Sequence, residues 1–486
     1  MKNRAYIITS LLFLSLFIGL ALYYFLVKED VSITMPEPPA EEPISKVDAA
    51  IMHNEAKWTT NNTHDGEIIK VDGMYYVFST DYMVAGEPKP GIMVRKSPDL
   101  VNWEFVGRVF DAVPEDVKEW TNGASIFWAP DVVEMNGTFY LYYSVSEFGT
   151  KNSYIGLATS QSIEGPWENK GEVFKTKNGD EYQVNAIDPG IIFDREGEPW
   201  MVFGSYAGGI YITELNKETG KLKEPGNQGT QVANKGRQDH QALEGPAIMY
   251  HSDTDYFYLT VSYGWLEDTY NVRVGRSKEI TGPYLDYNEN DLVDIESVTG
   301  SPDVGTKIVG SYAFENDSGW QGTGHNGLLR DGDDYYFIHN ARAGNDPYWS
   351  HLHVRKLYWT EDGWPAVSPQ RYAGEVEQKM SKKAVIGEWE NIVLDRLNDN
   401  VLQSQQLSLL SNGKLNEETS QDYWELTGEN TLKLYWYAPD DAPNDYWVDT
   451  VVVAPAWDWE NWTETIIFTG YSEQFGEAVW GKKVAK

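Results

Sequence analysis

Three carboxylic acids and one histidine recur at equivalent places along the chain. Five times a pair of apolar residues begins a short strand, and the residue three positions before that pair is in turn Asp65, Ala129, Asp188, Glu244 and His325. A carboxylic acid can donate a proton and a carboxylate can accept one, so two such groups facing one cavity can act as general acid and general base. A third carboxylate nearby raises the pKa of the acid by like-charge repulsion. The pattern therefore indicates acid–base chemistry by these carboxyl groups.

The recurring unit predicts an all-β fold, a five-bladed β-propeller. A repeat of about sixty residues made of strands and turns is typical of a propeller blade. A second recurring element, in the same phase, predicts the third and fourth strands of several blades. It consists of Val94–Ser97 before Trp103, Gly156–Ser160 before Trp167, and Val274–Ser277 before Tyr284. Because equivalent residues of the blades meet around the axis, the three acids and His325 are predicted to share one cavity.

Composition divides the chain into four segments. Residues 1–30 are predicted to form a signal peptide or membrane anchor, and the acidic, proline-dotted residues 31–52 an extended linker. The propeller is predicted over residues 53–370. Residues 371–486 lose the repeat but keep alternating segments such as Thr431–Trp436, which predict a separate β-barrel or sandwich.

The N-terminus and the overall charge bound where the protein works. Lys2 and Arg4 precede an uncharged apolar run over residues 5–27, whose length suits an uncleaved membrane anchor or a long signal peptide. Basic residues before such a run stay cytoplasmic, so the rest is predicted to be extracellular, either secreted or anchored by residues 5–27. The absence of cysteine excludes disulfides and thiolate metal sites. A formal net charge of −35 argues against nucleic acid as a partner.

Several motifs of the propeller region resemble glycoside hydrolase family 43, whose members are five-bladed propellers that invert anomeric configuration. The motifs are the residues around Asp65, the run Trp128-Ala129-Pro130-Asp131, the segment Asn185–Gly190 and the run Glu244-Gly245-Pro246. Three further segments resemble the endo-α-1,5-L-arabinanase branch, some members of which carry a C-terminal β-domain. They are Asn152–Ala158, Gly204–Tyr206 and Gly324–Asn326.

The resemblance implies a role for each matched residue. Asp65 would be the general base that activates water, Glu244 the general acid, and Asp188 the group that orients Glu244 and raises its pKa. His325 would help to hold one calcium ion on the axis, largely through water. The resemblance also implies substrate contacts for Trp128, Asn185, Ser205 and Tyr206, although Trp128 also fits a role as core filler. One departure is Gly66, which stands where the family often has proline and is expected to loosen the aim of Asp65.

These features together predict a monomeric extracellular enzyme that cleaves α-1,5-L-arabinan internally with inversion, assisted by calcium. An exo-acting α-L-arabinofuranosidase or β-xylosidase of the same family is the nearest alternative. A non-catalytic sugar-binding propeller is an alternative from another class, although it gives no reason for three acids at one offset. For the C-terminal domain, two roles stay open: it covers part of the propeller, or it binds polysaccharide.

Overall fold

The computed structural model describes residues 32–40, 51, 53–82, 88–235, 242–293 and 304–485. The described chain consists mainly of antiparallel β-sheets, which confirms the predicted all-β class. The apolar run over residues 5–27 lies outside the described residues, as does most of the predicted linker. Within the described ranges, no helix is both long and apolar enough to cross a membrane.

Five sheets form the blades of a propeller, and in each blade the strands follow chain order outwards from the axis. Blade 1 comprises β1 (Glu67–Val71), β2 (Met74–Ser79), β3 (Met93–Ser97) and β4 (Glu104–Arg108). Blade 2 comprises β5 (Trp128–Met135), β6 (Thr138–Ser146), β7 (Ser153–Ser160) and β8 (Glu168–Thr176). Blade 3 comprises β9 (Gly190–Phe193), β10 (Pro199–Phe203), β11 (Ile210–Glu214) and β12 (Thr230–Ala233). A short helix, α1 (Glu115–Trp120), lies between the first two blades.

The last two blades complete the ring. Blade 4 comprises β13 (Leu243–His251), β14 (Tyr256–Tyr263), β15 (Asn271–Ser277) and β16 (Thr306–Val309). Blade 5 comprises β18 (Trp320–Asp331), β19 (Asp334–Ala343), β20 (Asp346–Trp359) and β21 (Pro365–Val367), and the short β17 (Tyr312–Ala313) pairs only with the start of β18. The innermost strands β1, β5, β9, β13 and β18 contact one another in that cyclic order, which confirms the five-bladed propeller.

Turn residues explain why the first two strands of a blade pair as they do. Asp72 and Gly73 join β1 to β2 with φ of 50° and 82°, and Asn136 and Gly137 join β5 to β6 with φ of 53° and 71°. Two successive residues at positive φ form the tight hairpin turn whose twist matches that of the strands, and Asp-Gly and Asn-Gly favour it. The turns therefore fix the register, with Val71 opposite Met74 and Met135 opposite Thr138.

The start of the described propeller closes the ring against its last blade. Asn61 pairs with His351 of β20, the N–H of Leu352 donates to the carbonyl of Thr60 at 2.8 Å, and Ser350 Oγ donates to the carbonyl of Thr63 at 2.6 Å. We call residues 60–63 the closure segment. It lies beside residues 350–352 of β20, whereas β21 pairs with residues 357–359 of the same strand. Both ends of the propeller region therefore complete blade 5.

The C-terminal domain is a second β-structure, as predicted. Its helix α2 spans Lys382–Val385. Its strands are β22 (Gly387–Leu394), β23 (Leu402–Gln403), β24 (Gln405–Leu409), β25 (Tyr423–Thr427), β26 (Thr431–Tyr437), β27 (Tyr446–Asp458), β28 (Thr463–Ser472) and β29 (Ala478–Lys483). Seven of them form one sheet in the order β24-β22-β29-β28-β27-β26-β25. A bridge between Lys414 and Tyr423 joins the β24 side of this sheet to β25, so the sheet curls around a core that includes Trp389, Trp424 and Phe468.

The outer face of this curled sheet packs against the outer strands β16 and β21 of the propeller. Val452 and Trp480 join Tyr312, Trp364 and Val367 in one buried apolar cluster. Burying apolar area is the main favourable contribution to such docking. A short parallel pairing of β17 with β23 continues the sheet of blade 5 into the C-terminal domain.

Residues 32–40 lie along the C-terminal domain. They are extended, as the linker prediction requires, but Ile33 packs against the core of that domain. The N–H of Thr34 donates to Gln378 Oε1 at 2.9 Å, and Gln378 Nε2 donates back to the carbonyl of Thr34 at 2.8 Å. The chain therefore contacts the C-terminal domain before it enters the propeller.

Arg95 of β3 should be a main anchor of the closure. Its buried guanidinium donates to the carbonyls of Thr59, Asn61 and Asn62 at 2.8, 2.7 and 3.0 Å. Arg95→Met leaves those carbonyls without a donor, and we expect a loss of about 3 kcal/mol or more of unfolding free energy. Arg330→Met on β18 is the matched control, because Arg330 is exposed, donates to the carbonyl of Gly332 in its own hairpin turn and should contribute about 0–1 kcal/mol. Denaturant unfolding of both variants checks this, and equal losses would contradict the anchor role.

Candidate active site

The inner strand of every blade is preceded or interrupted at the axis by one residue in the left-handed backbone region. These residues are Asp65, Ala129, Asp188, Gly245 and His325, with φ of 48°, 22°, 57°, 58° and 43°. The predicted common offset is therefore right for Asp65, Ala129, Asp188 and His325 and wrong for Glu244, which lies one residue earlier. The reason is the choice of the apolar pair in blade 4. β13 has the same irregularity between Glu244 and Ala247 that β5 has between Trp128 and Asp131, so the pair equivalent to Val132-Val133 is Ile248-Met249 and not Ala247-Ile248. Gly245 occupies the left-handed position there, where a Cβ would lie 2.9 Å from His325 Nδ1.

Each left-handed residue donates its backbone N–H to a side chain of the preceding blade. The five pairs are Asp65 to Asn340 Oδ1 (3.2 Å), Ala129 to Thr80 Oγ1 (2.8 Å), Asp188 to Ser144 Oγ (3.0 Å), Gly245 to Asp188 Oδ2 (3.1 Å) and His325 to Ser262 Oγ (2.9 Å). This ring of hydrogen bonds, which we call the axial ring, passes through every blade. It brings the side chains of the acids and His325 to one end of the axis.

Asp65 is held as a carboxylate. His64 Nδ1 lies 2.6 Å and His325 Nδ1 lies 3.1 Å from its Oδ1, and Thr80 Oγ1 donates to its Oδ2 at 2.6 Å. Burial acts to raise the pKa of Asp65, but the two imidazoles outweigh burial and hold that pKa well below its usual range. With its side chain held from three directions, the carboxylate is fixed in place even though Gly66 follows it.

Glu244 and Asp188 lie in the opposite electrostatic situation. Ser205 Oγ and Tyr270 OH each donate to Glu244 at 2.8 Å, and Asp188 Oδ2 accepts from the N–H of Gly245. Burial raises the pKa of Glu244, and the charge of Asp65 adds to the rise. Burial, with the charges of Glu244 and Asp65, raises the pKa of Asp188 to about 8. This pair of carboxyl groups therefore retains a proton at neutral pH, whereas Asp65 does not.

The cavity thus contains an ionised carboxylate and a protonated carboxyl pair on different blades. Such a division is what a general base and a general acid require. His325 faces all three acids, and although burial opposes it, their charges raise the pKa of the imidazole to about 9. The structure therefore brings Asp65, Asp188, Glu244 and His325 together, as predicted.

The predicted substrate-contact residues lie around these groups. Asn185 is buried, and its Oδ1 accepts no hydrogen bond from the described residues. Ser205 and Tyr206 follow β10, and the pKa of Tyr206 is raised by burial and by the charges of Glu244 and Asp188, so its phenol lies near both. Trp128 is half-buried at the start of β5 and meets Phe148 edge-on at 6.3 Å.

Several residues of the cavity were missed from the sequence. His64 and Tyr270 contact the proposed base and acid, yet neither is at the repeated offset. Glu67 and Asp131 form a second pair of carboxyl groups; burial raises both pKa values, that of Asp131 to about 7. A signal for this pair exists, because each lies two residues after an axial residue. Thr80 could also have been found, since its counterparts Ser144, Ser262 and Asn340 recur near the end of the second strand in blades 2, 4 and 5.

The donor set at the axis allows a metal ion only with water as its main ligand. Among the described residues no three His, Asp or Glu side chains are grouped as direct metal ligands. Calcium takes six to eight oxygen ligands, so His325 alone cannot form its shell. The three nearby carboxyl groups nevertheless make the cavity favourable for a cation. The residues therefore fit the water-coordinated ion that the resemblance implies.

Comparison with known proteins agrees with this geometry. The model of glycosyl hydrolases family 43 matches residues 59–365, and the model of a C-terminal lipocalin-like domain of that family matches residues 369–481. The chain belongs to glycosyl hydrolase family 43. All three acids, His325 and the axial ring lie within the matched propeller region.

Relatives of the family match this chain over different lengths. An extracellular endo-α-(1→5)-L-arabinanase of Thermotoga petrophila is 33% identical over 463 residues, which is 87% of this chain and 93% of the relative. Its crystal structure superposes with a TM-score of 0.76 at 31% identity, covering 87% of this chain and 99% of that chain. An extracellular exo-α-(1→5)-L-arabinofuranosidase of Cellvibrio japonicus is 33% identical over 338 residues, 66% of this chain and 90% of the relative.

Tyr270 should set the pKa of Glu244, the predicted general acid. Its hydroxyl stabilises ionised Glu244, so Tyr270→Phe raises the pKa of Glu244 further. We expect the alkaline limb of the kcat/KM profile to move to higher pH and the acidic limb, which reports Asp65, to stay in place.

The matched control is Tyr284→Phe, because the Tyr284 hydroxyl in blade 4 donates to the carbonyl of Ile280 and no charge contributes to its pKa. Measuring kcat/KM against pH for the wild type and both variants checks the prediction. An unmoved alkaline limb in Tyr270→Phe, or a shift shared by Tyr284→Phe, would contradict it.

Proposed function

We propose that the protein is an extracellular endo-α-1,5-L-arabinanase that hydrolyses its substrate with inversion. The observation that carries the proposal is the arrangement of the cavity: Asp65 lies 2.6 and 3.1 Å from two imidazoles, which favour its ionised form, whereas burial favours the protonated forms of Asp188 and Glu244. Hydrolysis of a glycosidic bond needs both states at once, one on each side of the sugar. Membership of family 43 supplies the reaction class.

In the proposed mechanism Asp65 removes a proton from a water molecule that attacks the anomeric carbon. His64, His325 and Thr80 fix the direction of its carboxylate, so little reorganisation is needed when water binds. On the other side Glu244 gives its proton to the leaving oxygen. Asp188 lies against the backbone of Gly245 and keeps the proton on the pair at neutral pH.

Internal cleavage is favoured over exo action by the extent of the similarity. The two relatives that match 87% of this chain, from Thermotoga petrophila and Bacillus subtilis, both carry the name extracellular endo-α-(1→5)-L-arabinanase. The exo-acting relative matches 66%. Exo action on the same scaffold is the second candidate. The names of these relatives also support export, with residues 5–27 serving as signal peptide or anchor.

Glu244→Gln should abolish turnover and keep the fold. An amide of the same shape cannot protonate the leaving oxygen, so we expect kcat on linear arabinan to fall about 10²–10⁴-fold. Glu196→Gln, in the exposed turn between β9 and β10, is the control and should be fully active.

Products of the wild type decide the mode of cleavage. Chromatography should show short arabino-oligosaccharides early in the reaction, and proton NMR should show the β-anomer first. Arabinose as the sole early product would favour the exo alternative, and full activity of Glu244→Gln would remove Glu244 from the acid role.

We further propose that one calcium ion binds near His325, with water as most of its shell. When bound, the ion supplies positive charge to a cavity that contains three carboxyl groups. His325 keeps Asp65 in place as well, through the 3.1 Å contact of Nδ1 with Oδ1.

Chelation should therefore lower both activity and stability. Treatment with EDTA is expected to reduce hydrolysis of debranched arabinan, and added Ca²⁺ should restore it and raise the Tm of the wild type, because a ligand that binds only the folded state stabilises it. In His325→Ala the Tm should not respond to Ca²⁺. An identical Tm response in the variant would remove His325 as the ligand.

A further inference from the structure

Four tyrosines form a cluster on the outer face of the C-terminal sheet. Tyr423 of β25, Tyr435 and Tyr437 of β26 and Tyr446 of β27 lie side by side across three strands, and we call them the tyrosine platform. Tyr423 and Tyr435 are stacked with ring centroids 4.3 Å apart and planes 5° apart. Tyr446 meets Tyr423 at 5.2 Å and Tyr437 at 5.5 Å. Tyr437 is 37% exposed and the other three are half-buried.

The platform continues the face that docks on the propeller. Cross-strand partners share one face of a sheet, and the partners along β26 and β27 are Thr431 with Val452, Lys433 with Thr450, and Tyr437 with Tyr446. Val452 belongs to the apolar cluster between the domains, and Thr431 Oγ1 donates to Glu361 of the propeller at 3.3 Å. Beyond Lys433 the same face leaves the propeller and becomes the platform.

A cavity lies at the docked part of this face. A cavity of about 310 Å³ lies between the end of blade 5 and the C-terminal sheet, lined among others by Trp359, Glu361, Thr431 and Thr450. Next to it Lys433 and Thr450 both contact Glu473, at 3.3 and 2.6 Å. Aromatic rings, hydroxyls and charged groups therefore follow one another along a single strip.

The chemistry of the strip selects its ligand. Tyrosine offers a flat apolar ring and a hydroxyl at low entropic cost, which suits ligands with apolar faces and many hydroxyls. Glu425 and Asp445 near the rings are exposed and can accept hydrogen bonds from such hydroxyls. A net charge of −35 disfavours an anionic polymer and leaves a neutral one unaffected.

We propose that the tyrosine platform binds a neutral polysaccharide, the arabinan chain, at a site separate from the catalytic cavity. The identity of the chain rests on the proposed function. The platform lies on the C-terminal domain, whereas Asp65, Asp188 and Glu244 lie on the propeller axis, so the site holds polymer rather than the bond that is cleaved.

Binding is tested in the full-length chain carrying Glu244→Gln, so that the polymer survives. Retardation in native gels containing linear arabinan is measured for this protein and for the same protein with Tyr423→Ala, Tyr435→Ala and Tyr446→Ala. We expect affinity to fall about 10-fold, since each ring contributes a modest stacking energy. Phe475→Ala is the matched control, because Phe475 is 48% exposed on the same domain and contacts Trp447 instead of the platform. It should bind like the parent.

Two further variants keep the test decisive. Tyr437→Ala alone, at an exposed position, should weaken binding about 3-fold without loss of Tm, even where the triple variant folds poorly. Replacing the three tyrosines by phenylalanine keeps the rings and should retain most of the affinity. Light scattering on the parent and the Ala variants asks whether the platform instead joins two copies of the chain.

The outcomes separate this proposal from the proposed function. Weaker binding by the Ala variants and normal binding by Phe475→Ala support the platform. Unchanged binding by Tyr437→Ala and the triple variant overturns it, and so does a dimer that the Ala variants dissociate. In either case, early arabino-oligosaccharides from the wild type would support the proposed enzymatic function. Their absence would contradict that function without changing the result of the binding test.

Discussion

The axial ring holds the inner ends of all five blades in one conformation. A non-glycine residue in the left-handed region costs about 1 kcal/mol or more, and four of the five axial residues pay it. Each is held there by a hydrogen bond from its own N–H to the preceding blade. The first of these bonds joins Asp65 to Asn340 and the last joins His325 to Ser262. Because Asp65 is bound by blade 5, the ring exists only when the propeller is closed. The strained conformation turns the side chains towards the axis, where they can act together.

Chemistry at the axis follows from an uneven supply of positive charge. Both imidazoles, His64 and His325, contact Asp65 directly, whereas Glu244 and Asp188 accept hydrogen bonds only from neutral donors and are influenced by His325 through its charge alone. Burial alone would protonate every one of these acids. The imidazoles reverse that tendency for Asp65 alone, which separates an ionised group from a protonated pair within one cavity. The repeated blades thus place acids at similar positions around the axis. The residues that differ between blades, such as His64, give these acids different protonation states.

The repeat was enough to predict the fold class, the number of blades and the cavity, because strand and turn patterns are local properties. It placed Asp65, Asp188 and His325 correctly and misplaced Glu244 by one residue, because the apolar run of β13 begins at Ala247, one residue before the pair that is equivalent in the other blades. His64 and Tyr270 escaped because nothing in their sequence neighbourhood shows which carboxylate they reach; Tyr270 is 26 residues from Glu244. The contacts of residues 32–40 were also beyond reach, since Thr34 meets a partner 344 positions away.

The C-terminal domain can both support the propeller and bind polysaccharide, because different parts of one continuous sheet face serve the two roles. Near β21 the face buries Val452 and Trp480 against blades 4 and 5. These two blades supply Glu244 and His325, and the closure segment lies on blade 5. Farther along β26 and β27 the face is no longer covered by the propeller, and tyrosines replace the aliphatic residues. Successive side chains of a strand point to opposite faces, so every second residue of β26 and β27 lines the core of the domain and the residues between them form this outer face. Docking at one end fixes the orientation of the other, and the proposed platform is therefore carried rigidly by the blades that position the acid.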